Sequence, residues 1–363
     1  MTQETADPGR PAARIDARAA AVSAVVVTVV IVVGLTWAKW FPYAAKVQGL
    51  FVSHQWDGSS VLDAGGTAPG LSGAWTFAMT YAQAIWKALV VSLLVAAGVD
   101  ALVPPRRLLA LLGRGGAWRQ AGAGGLLSLP SMMCTCCTAP ITVSMRRAGV
   151  PLPAAVAYWL GNPLLNPAVL VFLVLVAPWQ WAVTRLVVGL AVVLGAGTLV
   201  GRLQRRKGGL EGVAGEAVLP PEDLPVRRVS EVPGRFARSL LRLGGVLVPE
   251  YAAVVFLMGA FSGWLSQFAV LDHRLGVLGM VVAALVGTLL VVPTGGEIPV
   301  LLALSAVGVS LGTLGVVLVT LPALSLPSMV MVARAISPRA TAVLAGAVVV
   351  AGLGAGVLLT ALV

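Results

Sequence analysis

The sequence predicts an all-α polytopic membrane protein with two inverted repeats, each interrupted by broken, re-entrant helices. Three observations predict it. The 363 residues are 58% hydrophobic and only 11% charged, too few charges to cover a water-facing surface, so lipid must be the solvent. Apolar runs of about 20 residues, the length a bilayer requires, alternate with short basic clusters. A spaced set of Pro and Gly residues occurs twice at one fixed offset.

Seven runs read as full spans: 20–38, 77–103, 152–177, 181–201, 243–268, 311–333 and 340–361. The first follows a polar tail containing Arg10, Arg14 and Arg18 and ends at Lys39-Trp40-Phe41. It is longer than a signal-peptide core of about 7–15 residues and reads as an uncleaved span. Two further apolar stretches are interrupted: 122–145 by Pro130 and Pro140, and 276–306 by Pro293, Gly295, Gly296 and Pro299. Proline removes a backbone donor, and irregular backbone at membrane depth survives only inside protein or beside a wet cavity. Both stretches are expected to be hairpins, broken at these prolines.

Basic residues orient the chain. They put the N-terminal tail, Arg106 to Arg119, Arg146-Arg147, the nine Lys/Arg of 202–242 and Arg334/Arg339 in the cytoplasm. Residues 39–76 and the C-terminus then lie outside, in the cell inner (plasma) membrane. The net charge of +11 thus marks topology and a bilayer partner, with no motif for nucleic acid. The linker centre, Glu216 to Pro225, has the composition of a flexible segment.

Pro140, Gly149-Val150, Leu152, Pro163 and Leu165 recur 159 residues later as Pro299, Gly308-Val309, Leu311, Pro322 and Leu324. After one inserted residue Pro167 matches Pro327. The chain therefore divides into 1–76 (tail, extra span, outer loop), 77–201 (first repeat), 202–242 (linker) and 243–363 (second repeat). The span before each hairpin crosses in opposite senses, so the repeats are inverted, an architecture of secondary transporters with midplane sites.

Three constellations carry chemistry. Cys134, Cys136 and Cys137, the only cysteines, lie with Met132 and Met133 beside Pro140. They cannot form a distributed disulfide framework. As thiolates they favour soft metals or metalloids as cargo, or they are small buried packing groups. A helical backbone puts Cys134 beside Cys137, an unwound one beside Cys136. Asn162 and Asn166 sit in the doubled Asn-Pro sequence of 152–177 and either line a polar path or satisfy broken backbone. Glu297, in the second hairpin opposite Thr138, is a candidate proton carrier, because an ionisable residue at membrane depth is a functional candidate by default; the alternative is a shallow, solvated position. Glu250 is expected to pair with Arg242, Asp100 to be interfacial, and His54 and His273 to be solvated.

Cys134-Thr135-Cys136, Pro140, Gly149-Val150 and Pro163 to Pro167, with the second copy Gly296-Glu297-Ile298-Pro299 and Gly308-Val309, resemble the predicted-permease family that includes the arsenical permeases (ArsP and YraQ-like proteins). The resemblance covers roughly 80–350 and implies a membrane permease exporting a small solute such as a trivalent organoarsenical. Cys137 stands where the family commonly has Gly, which adds a thiol.

The expected function is a secondary transporter of a small-molecule or ion substrate, not an enzyme, with no cofactor. No P-loop is present for ATP hydrolysis. Two alternatives are a transmembrane thiol–disulfide relay, since Cys134 and Cys137 form a CxxC, and a non-transporting scaffold. The second half contains no cysteine to receive a disulfide. A homo-oligomer is compatible with the sequence.

Overall fold

A computed structural model describes residues 17–56, 70–206, 229–265 and 276–363, all helix and connecting turns. The flexible-linker expectation for Glu216 to Pro225, and His273, fall outside these residues. Helix α1 (Ala17–Leu35) continues through a π turn (Thr36–Trp40) into α2 (Phe41–Ser53). Next come α3 (Leu71–Leu102), α4 (Pro105–Leu112), α5 (Ala117–Ser128), α6 (Thr135–Arg147), α7 (Leu152–Leu164), α8 (Pro167–Val176) and α9 (Trp179–Arg206). The second half holds α10 (Glu231–Leu265), α11 (Val277–Leu289), α12 (Glu297–Ala306), α13 (Leu311–Ala323), α14 (Leu326–Ala333) and α15 (Pro338–Leu362). Among the described residues six helices are long and apolar enough to cross a membrane, and seven when the bent pair α13–α14 counts as one span.

The repeat is visible in the backbone. Moved by 159 residues, α7 coincides with α13 and the start of α9 with the start of α15. Gly149 and Gly308, also 159 apart, both adopt positive φ, 83° and 80°. This left-handed turn ends the hairpin, and glycine adopts it without steric cost. Asn166 and Ser325 are likewise equivalent, as N-caps of α8 and α14.

Helices α5 and α6 cannot each span, because 12 or 13 residues rise only about 20 Å. Gly201 of α9 faces both Ala117 at the start of α5 and Pro153 at the start of α7, and Gly161 near the end of α7 faces Ser128 at the end of α5. Thus α5 and α7 rise together from one face. Between them α6 returns to that face, where Arg147 pairs with Asp100 at 3.3 Å. In the second half, Met280 near the start of α11 lies against Gly312 near the start of α13, and Gly287 against Thr320. Both hairpins are re-entrant. Helices α3 and α10, equivalent by the offset, pack antiparallel: Phe77 meets Gly259, Tyr81 meets Tyr251, and Phe236 approaches Gly98. The units are therefore inverted.

Several local expectations differ from the structure. The first span does not end at residue 38, nor does a loop begin at 39, since helix runs to Ser53. Pro42 cannot donate, and the π turn redirects the neighbouring bond, Phe41 N–H to Thr36 O. Pro140 does not break the first hairpin but lies within α6. The break is at 129–134, where Pro130 enters a 3₁₀ turn and Met132 takes φ 49°. In the second hairpin residues 290–296 are non-helical, and Pro299 sits in the first turn of α12, where its missing donor is harmless. Asp100, half-buried near the end of α3, is held by Arg147 and by Arg242 at 2.8 Å. Glu250 consequently pairs with Arg334, at 2.9 Å, instead of Arg242. His54 is exposed as expected. Helix α9 reaches 206 and α10 starts at 231, so both enter the expected linker 202–242.

Candidate functional site

The two hairpin tips and the two span breaks meet inside the bundle. Cys134 is the extended N-cap of α6, and Cys136 and Cys137 lie in its first turn. This helical geometry brings the Cys134 and Cys137 sulfurs to 3.0 Å. Cys136 instead lies 3.3 Å from the Tyr81 hydroxyl and 3.9 Å from Ser325 Oγ. All three thiols are buried. Among the described residues no three His, Cys, Asp or Glu side chains converge as metal ligands. Cys134 and Cys137 are in direct contact, and Cys136 also contacts Tyr81.

The α6 tip docks across the repeat boundary: Thr135 Oγ1 and Ser325 Oγ are 3.2 Å apart. Within its own unit, Trp159 Nε1–H donates to Thr135 O at 3.3 Å. Asn162 holds the turn: its side-chain oxygen accepts from Ser131 Oγ and from Met133 N–H at 3.3 Å, while Nδ2 donates to Tyr158 O at 2.8 Å. Asn166 caps α8, accepting from Ala168 N–H and Val169 N–H. Of the two sequence readings for these asparagines, the described contacts are those of residues satisfying broken backbone. Asn166 Nδ2 is buried with no partner among the described residues.

Glu297 is buried at the α12 tip, not solvated. Its Oε1 accepts from Arg185 Nη2 at 2.7 Å, and the two side chains are 2% and 0% exposed. Arg185 also donates to Pro163 O at 2.7 Å and Leu164 O at 3.4 Å, carbonyls at the α7–α8 break. One guanidinium thus joins the second hairpin to the broken span of the first unit. This mirrors the Thr135–Ser325 contact in the opposite direction.

Sequence reasoning brought together the cysteines and placed Glu297 at a hairpin tip, but missed Arg185, Lys39, Tyr43, Tyr81, Tyr251 and Ser325. A lone charge inside the run 181–201 was the available signal for Arg185. Lys39 was misread as a span terminus. It is 7% exposed, and its ammonium donates to Tyr43 Oη at 3.0 Å and Thr294 Oγ1 at 3.1 Å. The Tyr43 hydroxyl in turn contacts Met132 O at 3.3 Å, and Trp40 Nε1–H donates to Pro130 O at 2.7 Å. The N-terminal helix therefore touches both hairpin tips.

A cluster of thiols, hydroxyls and one ion pair, enclosed where half-helices from inverted units end, has the construction of a transporter midplane site. The model of a family described as predicted permease (ArsP_1) matches residues 70–361. The chain is 36% identical over 334 residues to UPF0718 protein YraQ of Escherichia coli (strain K12), covering 90% of this chain and 92% of that protein. No solved structure matches it. With the family model spanning most of the chain and a relative this similar along nearly its whole length, the chain belongs to the predicted-permease family.

Proposed function

We propose that this membrane permease is a secondary transporter that exports a small thiophilic solute, such as a trivalent organoarsenical or metal(loid), through the Cys134–Cys137 pair. The observation that carries the reading is the approach of these two sulfurs, 3.0 Å, at a buried hairpin tip facing the other unit. Soft cargo atoms bind best where sulfurs act together. Two thiols exchange onto a trivalent arsenical by forming two As–S bonds and breaking two As–O bonds. The thiol protons leave with the displaced hydroxyls as two waters, and no electrons are transferred. Cys136 stands next to the pair as a reserve ligand. Asn162 and Asn166 keep the surrounding breaks in shape.

Proton coupling is assigned to Glu297. Protonating it would release Arg185, and with it the tie between the second hairpin and the α7–α8 break. The energy source is then a gradient across the plasma membrane, with the N-terminus cytoplasmic.

The test is methylarsenite uptake into everted membrane vesicles. Cys134→Ser and Cys137→Ser should each reduce uptake strongly, and Cys136→Ser less. Wild-type rates in the triple serine variant would reduce the thiols to packing groups. Glu297→Gln should leave a folded protein whose transport no longer responds to a proton gradient.

A further inference from the structure

We propose that the solute enters this site as an anion, with Lys39 as the cationic half of the site and Cys134 and Cys137 as the soft half. The inference rests on the thiophilic-cargo reading and narrows it. The ligand class is a small solute whose negatively charged group lies within a few ångströms of a thiophilic atom.

Lys39 is the first ground. An ammonium nine-tenths buried at membrane depth is expensive unless a counter-charge meets it. Its partners are neutral: the hydroxyls of Tyr43 and Thr294, and the Tyr43 ring 5.1 Å from the nitrogen. No carboxylate pairs with it among the described residues. The carboxylate nearest in sequence to Thr294, Glu297, is engaged by Arg185.

Position is the second ground. Lys39 is joined to the cysteine hairpin through Tyr43, whose hydroxyl donates to Met132 O, two residues before Cys134. It occupies the π turn of the N-terminal helix, a local distortion that recurs at functional sites because it re-aims side chains. Through Thr294 it touches the second hairpin, and through Tyr43 it reaches Met132 of the first. The 13-residue α6 begins at Cys134 with no side-chain cap, so its positive end adds to the field at the sulfurs. An incoming anion would complete the charge balance that the resting site lacks. Lys39 also lies upstream of residues 70–361, so the family match does not include it.

The experiment compares two thiol reagents of matched size, anionic iodoacetate and neutral iodoacetamide, on the full-length protein in membrane vesicles. With either reagent the sulfur displaces iodide, forming one C–S bond and breaking one C–I bond. Because the same nucleophile attacks in both cases, its ionisation cancels in the ratio of rates, leaving the preference for an anion. The modified cysteine is identified by peptide mass.

The wild-type ratio at Cys134 or Cys137 should exceed that of free cysteine in the same buffer. It should fall about tenfold in Lys39→Met, the effect of one nearby unit charge in a partly wet site, and persist in Lys39→Arg. A wild-type ratio no higher than that of free cysteine overturns the inference while leaving the thiophilic reading intact. An unchanged ratio in Lys39→Met also overturns it. The wild-type comparison stands alone if Lys39→Met does not fold. Failure of both reagents to reach either thiol overturns the anion inference and the cargo reading together.

Discussion

Removing Arg185 alone should be far more damaging than removing both members of the Arg185–Glu297 pair. The pair is 2.7 Å long and its side chains are 0% and 2% exposed, so solvent cannot replace a lost partner. Stranding one buried charge costs about 3–5 kcal/mol. Glu297→Leu strands Arg185, although the guanidinium keeps two carbonyls. Arg185→Met strands Glu297 and also leaves Pro163 O and Leu164 O without this donor. It should be the worse single change. In the double variant no charge remains, and only the carbonyls are under-satisfied, at roughly 1–3 kcal/mol each. The cycle should therefore show a coupling of roughly 2 kcal/mol or more. Unfolding of purified protein by increasing SDS in mixed micelles, followed by the fluorescence of its ten tryptophans, measures each corner. Single-variant costs that add to within about 0.5 kcal/mol would refute the coupling.

Gly124→Ala should reduce the amount of folded protein by about 1–3 kcal/mol of overpacking, because the new methyl would overlap Ala154 O; Gly122→Ala, with open space around it, should be silent. Detergent-soluble monodisperse yield compares them. With the native cysteines replaced by serine, Thr135→Cys plus Ser325→Cys should cross-link under mild oxidant, since the native hydroxyls are 3.2 Å apart. An absence of cross-link would separate the first hairpin from the second unit. Reporter fusions just before Glu231 and after Val363 should report opposite sides of the membrane, because three crossings lie between them; same-side signals would remove the inversion.

Much of the fold was legible because lipid imposes it. A chain in hydrocarbon must satisfy its backbone within each helix, so span length and basic clusters can be read residue by residue. The repeat was legible for a related reason. Pro163 and Pro322, and Gly149 and Gly308, occupy equivalent backbone positions, and residues with special backbone requirements leave marks at fixed spacing. Pro140 misled because a proline marks a missing donor, not the break itself: the turn belongs to Pro130 and Met132, whose φ of 49° no composition rule assigns to methionine.

The charged groups show the limit most clearly. The sequence alone determined that Glu297 lies in a broken apolar hairpin and that three thiols crowd another. Only the tertiary structure decided that Glu297 meets Arg185, 112 residues away. It likewise decided that Lys39 meets Thr294, 255 residues away, and that Cys134 pairs with Cys137 while Cys136 turns toward Tyr81. Span length and broken backbone are local demands that hydrocarbon places on each segment, so they are written along the chain. A buried charge has no preference along the chain. Its partner is whichever counter-charge or hydroxyl the packing of inverted units brings within about 3 Å, and that distance exists only once the helices are assembled.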